Sequence, residues 1–187
     1  SQRGPTLLSA NAVLLQFFTL VSYVMDGFAY AGESVGGHLV GAGSVKRFRR
    51  LVGALFLWGT GLSLLFALAY ALGGTALIAL FTDDVAVRRA AETFLPYAVA
   101  IPPISMAGFL LDGLFVGTTA TSGMLIGVAA AAAGFFTVHT LLPSALGNHA
   151  LWIAFLTYLA LRGIVQGLQL PGIVRRSFAL TAQTACR

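Results

Sequence analysis

The sequence predicts an all-α, polytopic membrane helix bundle with five transmembrane helices. Three observations carry that prediction. The 187 residues are 58% hydrophobic and only 9% charged, against about 25% charged for an ordinary soluble domain. The apolar residues fall into five long runs, each able to cross a hydrocarbon core of about 30 Å. Carboxylates stand inside two of those runs, and ionisable groups in a bilayer are expensive and are a functional hypothesis by default. The net charge of +5 does not point to nucleic acid. The basic residues gather between apolar runs and at the C-terminus, as cytoplasmic anchors do, rather than lining a groove.

The first span covers residues 10–40, with polar interruptions at Asn11 and Gln16. As one helix it would be about 45 Å long, so it must tilt, break or reach the headgroups. Gly32 and Gly36 form a pair of small residues four apart, suited to close helix contact. The second span, 51–72, is uncharged, and Gly73-Gly74 reads as its stop. Thr75 to Phe81 is apolar but short and reads as an interfacial segment. Thr82-Asp83-Asp84 then resembles a helix N-cap with acids in the first turn, opening a short helix with Arg88, Arg89 and Glu92. The third span is 97–117, with Pro102-Pro103 expected to kink or interrupt it. Thr118 to Gly123 is a polar turn. The fourth span, 124–142, holds an alanine patch at 129–133 for tight packing. The fifth, 151–170, is expected to end at Pro171, leaving 171–187 as a polar, poorly ordered cytoplasmic tail. Trp58 and Trp152 are placed as interface anchors.

Five spans put the termini on opposite sides. Lys46, Arg47, Arg49 and Arg50 lie on one side with Arg175, Arg176 and Arg187. Arg3, Arg88 and Arg89 lie on the other, and Arg162 falls within the last span. The positive-inside rule makes the first group, and the C-terminus, cytoplasmic. Asp83 and Asp84 offset Arg88 and Arg89 locally. The chain opens at Ser1 rather than methionine and shows no secretory signal, as expected of a fragment of a longer protein.

Asp112 is the sharpest candidate site residue. It stands about 24 Å into its span, where a carboxylate costs on the order of 2.5–3.5 kcal/mol on insertion scales. Its desolvated position suits a proton-accepting role, with a structural aspartate bonded to a neighbouring helix as the plainer alternative. Asp26 stands at similar depth. Glu33, seven residues on, shares its helix face about 10 Å away and near the inner interface, where a plain role, as a solvated helix end or a partner for Arg47 or Arg50, stands level with a functional one. A glycine follows both aspartates (Gly27 and Gly113) and opens room for water or a neighbouring backbone. Phe17, Phe18, Tyr23, Phe28 and Tyr30 read first as packing, with an aromatic pocket for an apolar cation as the second reading. His38, His139 and His149 lack ligand-spaced partners, so no metal site is expected. The single cysteine, Cys186, allows no disulfide within the chain. No phosphate loop, dinucleotide fingerprint or catalytic triad is visible, so an enzyme is not expected, and neither is a cofactor.

Three motifs together resemble a known family. NAVLLQFFTLVSYVMDGFAYAGESVGGHLVGAG (11–43), LLDGLFVGTTAT (110–121) and LGNHALWIAFLTYLALRG (146–163) are similar to helices of the C-terminal half of multidrug and toxic compound extrusion (MATE) transporters, in the branch of DNA-damage-inducible protein F (DinF). The resemblance implies twelve helices in two repeated six-helix lobes, of which this chain supplies the last five. It also implies export of small organic cations or amphipathic drugs across the inner membrane in exchange for protons or sodium ions, with a lobe N-terminal to this chain as partner. Asp112 matches the family's C-lobe aspartate, and Asp26 and Glu33 match acids of that branch. Two departures stand out: the arginines usual after the aspartate helix are absent from 118–123, and Tyr30 replaces a frequent histidine. A lipid-linked saccharide flippase and a non-transporting membrane structural or partner subunit are the alternative readings.

Overall fold

The computed structural model describes residues 3–185, and among them there are only helices and turns. Five long helices follow one another: α1 (Arg3–Gly41), α2 (Val45–Phe81), α3 (Val85–Gly117), α4 (Thr121–Leu141) and α5 (Asn148–Ala185), with a single 3-10 turn at Ser144–Leu146. Each contains a stretch long and apolar enough to cross a membrane. The helices alternate in direction, so α1, α3 and α5 run one way and α2 and α4 the other.

Helix α3 is the centre of the bundle and packs against α1, α2 and α5, while α4 leans on α5. Its buried set is correspondingly long and includes Phe94, Ile101, Phe109, Leu110, Leu111, Leu114 and Phe115. Small residues set the closest approaches, since without a hydrophobic drive between helices in lipid it is packing that holds them together. A methyl group at Gly113 would collide with the backbone of Ala29, and one at Gly117 with the backbone of Glu33. This Gly113/Gly117 pair on α3 makes the tight crossing with α1. The anticipated Gly32 and Gly36 face Leu55, Phe48 and Leu114 side chains instead. On α4, Gly123, Gly127 and Ala131 are the buried stripe, seated on Gln166 and Gln169 of α5. Within the alanine patch, Ala131 alone is buried.

Several expected helix ends lie inside helices. Gly73-Gly74 does not stop α2, because Gly74 is a contact point for Leu95 of α3, and residues 75–81 continue the helix. The short helix after Asp84 and the third span are one helix, through Pro96, Pro102 and Pro103. Pro171 likewise lies within α5, which continues as helix over what reads in sequence as an irregular tail. Backbone left unpaired in lipid is costly, so a helix persists through residues that would end it in water. The Lys46, Arg47, Arg49 and Arg50 cluster forms the exposed first turns of α2 rather than a loop. Arg187 and Cys186 lie outside the described residues. The N-cap at Asp84 is as anticipated: its carboxylate accepts from the backbone N–H of Ala86 at 2.7 Å and Val87 at 3.3 Å.

Candidate functional site

The site begins with the register of α3. Gly113 brings α3 against the backbone of Ala29, which fixes the height of the preceding Asp112 relative to α1. Asp26 is three residues before Ala29, one turn away on the same helix. On the other side of α3, Gly108 lies under the Arg162 side chain, with Cγ 3.4 Å from a methyl built there, and Gly163 meets Ala107. These glycines let α5 come close enough for its two polar mid-span side chains, Arg162 and Gln166, to reach α3. Four residues apart, they share one face of α5.

Both carboxylate oxygens of Asp112 are engaged. Oδ2 forms an ion pair with Nη2 of Arg162, and Oδ1 accepts a hydrogen bond of 2.6 Å from Nε2 of Gln166. The side chains of Asp112 and Arg162 are only 17% and 19% exposed, and Gln166 is fully buried, so the pair is largely removed from solvent. The Arg162 guanidinium carbon lies 5.4 Å from the centroid of the Phe109 ring, within cation–π range. One donor and one acceptor of the cluster are left over: Arg162 Nε and Gln166 Oε1 are buried without hydrogen-bond partners. Buried polar groups are rarely left so.

The structure thus brings Asp112 together with Arg162 and Gln166, with Asp26 one turn before the α1 residue that Gly113 meets. It does not bring Glu33 into that group. Glu33 sits further along α1, its backbone against Gly117. Among the described residues the two ion pairs are Arg162–Asp112 and Arg88–Asp83, so Glu33 is not paired with Arg47 or Arg50. Sequence reading missed Arg162 and Gln166 as site residues. The available signal was a lone arginine inside an apolar run with a glutamine one turn later, which in a membrane calls for a partner of opposite charge.

The remaining polar and aromatic groups have structural places. Asn11 and Asn148 exchange two hydrogen bonds of 2.8 Å, and Trp152 Nε1 donates to Asn11 Oδ1 at 3.0 Å. Trp152 is therefore 3% exposed, a buried clasp between α1 and α5 and not an interface anchor. Trp58 is exposed. His149 Nδ1 is hydrogen-bonded to the Tyr97 hydroxyl at 3.0 Å. Phe17 packs on Tyr70 and Phe18 on Phe109 and Phe155, while Tyr23 and Tyr30 point outward, so the five aromatic residues of α1 do not form one pocket. Among the described residues no cluster of His, Cys, Asp or Glu is placed to hold a metal ion.

Five helices long and apolar enough to cross a membrane, with a part-buried charge cluster toward the C-terminal end of the central one, define an integral membrane protein. Comparison with known proteins makes this specific. The MatE family model matches residues 1–142, and the chain belongs to that family, whose members are transporters and not enzymes. It is 38% identical to DNA damage-inducible protein F of Escherichia coli over 173 residues, which is 92% of this chain and 37% of that protein. It is 27% identical to the chloroplastic Protein DETOXIFICATION 44 of Arabidopsis thaliana, over 87% of this chain and 31% of the relative. Protein DETOXIFICATION 42 of the same plant is 29% identical over 88% of this chain and 32% of its own length. The chain therefore spans about a third of the length of these curated relatives. No solved structure matches it significantly.

Proposed function

We propose that this chain forms the C-terminal, carboxylate-bearing lobe of a cation-coupled efflux transporter. In this reading it exports small organic cations or amphipathic compounds in exchange for protons or sodium ions. The observation that carries the reading is the position of Asp112: within the most buried helix, toward its C-terminal end, bound by side chains of α5 and near the level of Asp26 on α1. A carboxylate is retained in such a place at a cost, and transporters use intramembrane acids of this kind for protons and cations. Family membership supports the same reading. The partner is a preceding lobe of the same protein, since alternating access moves one repeat against the other. The membrane is the inner membrane with the C-terminus cytoplasmic, because the Lys46 to Arg50 cluster lies at the same end of the bundle as Arg175 and Arg176. At the opposite end, Arg88 is tied to Asp83 at 3.0 Å and to the carbonyl oxygens of Thr82 and Ala79 that close α2, so it serves that helix end.

A saccharide-diphosphate flippase would hold several cations toward its cavity, whereas the one mid-span arginine here is already bound to a carboxylate. A non-transporting subunit leaves the buried charge cluster without a use. The test is the full-length protein in proteoliposomes holding a cationic dye, under an imposed proton or sodium gradient. One of the two gradients should drive dye movement. No movement under either would favour the subunit reading.

A further inference from the structure

The ion pair at Asp112 has three features that a purely structural salt bridge does not need. The arginine donor Nε is buried and unpartnered, and so is the acceptor Oε1 of Gln166. The guanidinium lies over the Phe109 ring. A second carboxylate, Asp26, stands on the facing helix α1 one turn before Ala29, the residue that Gly113 meets. An arginine chosen to neutralise a buried carboxylate once and for all would have its donors satisfied, because each unmet buried donor carries a desolvation cost. Here the head group lies against an aromatic face and a carboxylate that also binds an amide. Those are the groups that recognise an organic cation.

Resting on the transport reading, we propose that Arg162 is a tethered cation that occupies the cargo and coupling-ion site of the lobe, so that a proton or an exported cation binds Asp112 only by displacing the guanidinium. Asp26 receives the displaced guanidinium. Two carboxylates and one guanidinium, all ionised, carry a single net negative charge, which matches one monovalent cation at a time. Gln166 serves both states: Nε2 donates to the ionised carboxylate, and the free Oε1 accepts from a protonated Asp112 or from a cargo N–H. The titratable groups nearest the Asp112–Arg162 pair in register are Asp26 and Tyr30 on α1 and Tyr158, one turn before Arg162 on α5. Helix α2 carries only its terminal lysine and arginines and Tyr70, and α4 only His139, none of them near Asp112 in register.

The test uses the full-length transporter and dicyclohexylcarbodiimide, which modifies a protonated carboxyl in apolar surroundings, with the extent at Asp112 read by peptide mass spectrometry across a pH series. In the unmutated protein the guanidinium protects Asp112 near neutral pH. Arg162→Gln should raise labelling there by about tenfold or more, the size expected when an opposite charge in contact is removed, and Arg162→Lys should restore most of the protection. A saturating cationic dye should lower labelling in Arg162→Gln by occupying the vacated site. Equal labelling in the unmutated protein and Arg162→Gln overturns the proposal. Should Arg162→Gln fail to fold, Asp26→Asn carries the test: with its alternative partner gone, Arg162 stays on Asp112 and labelling at acidic pH falls several-fold, while unchanged labelling overturns the proposal. The readout does not require transport. Labelling that follows Arg162 in a protein that moves no dye under any gradient upholds this assignment and sinks the transport reading alone.

Discussion

The crossing of α1 over α3 offers a quantitative prediction, because backbone meets backbone there. A methyl group at Gly113 would lie 2.6 Å from the carbonyl carbon and 2.7 Å from Cα of Ala29, and closer still to its oxygen. Ordinary carbon contacts are about 3.5–4.0 Å, so Gly113→Ala forces the two helices apart by about 1 Å. A gap of that size forfeits about a quarter to a half of each contact's attraction, and the neighbouring contact of Gly117 with Glu33 loosens with it. Overpacking costs about 1–3 kcal/mol in general. The obstructing atoms are backbone and cannot rotate away, so the cost belongs near the top, about 3 kcal/mol. Alanine recovers about 1 kcal/mol of helix propensity, leaving a net loss of about 2 kcal/mol. Gly27 is the control: nothing lies within 4 Å of a methyl there, so Gly27→Ala should hold or gain stability. The assay is the apparent melting midpoint of the purified full-length protein at one fixed heating rate, since unfolding of such proteins is commonly irreversible. Gly113→Ala melting at or above the unmutated protein would refute the close crossing, and with it the height assigned to Asp112.

Two further predictions probe the frame around the site. The Tyr70 hydroxyl donates to the carbonyl oxygen of Phe17 at 2.8 Å and is buried, so Tyr70→Phe should cost about 1 kcal/mol, read by the same melt, while leaving dye export in place. Asp84→Ala removes the cap of α3 at a cost of about 1 kcal/mol. Faster amide exchange should appear at Ala86 and Val87 but not at residues beside Asp112.

The number of helices and their approximate centres were legible because an apolar run long enough to span a bilayer has few other uses. Their ends were not. Gly73-Gly74, Pro102-Pro103 and Pro171 carry the breaking signals of soluble proteins, but surroundings without water reverse the outcome, and Gly74 proves to be a packing contact for Leu95. Asp112 stood out as a candidate from its cost alone. Its partners did not, because Gln166 is 54 residues away in the chain and only the approach of α5 at Gly108 and Gly163 brings the two together. Trp152 shows the same limit. Its place near a span end fits an interface anchor, yet its N–H is taken by Asn11, 141 residues away.

Under the proposed function, Asp112 is the carboxylate through which this lobe couples cargo to an ion gradient. The most direct measurement is the initial rate of gradient-driven dye movement in proteoliposomes holding full-length Asp112→Asn, matched for amount and melting behaviour to the unmutated protein. The side chain keeps its size and a hydrogen-bonding oxygen for Gln166 but loses its charge. A rate at least about tenfold lower, comparable to removing one charged partner of a buried site, is the result expected. Movement at the unmutated rate would contradict the claim.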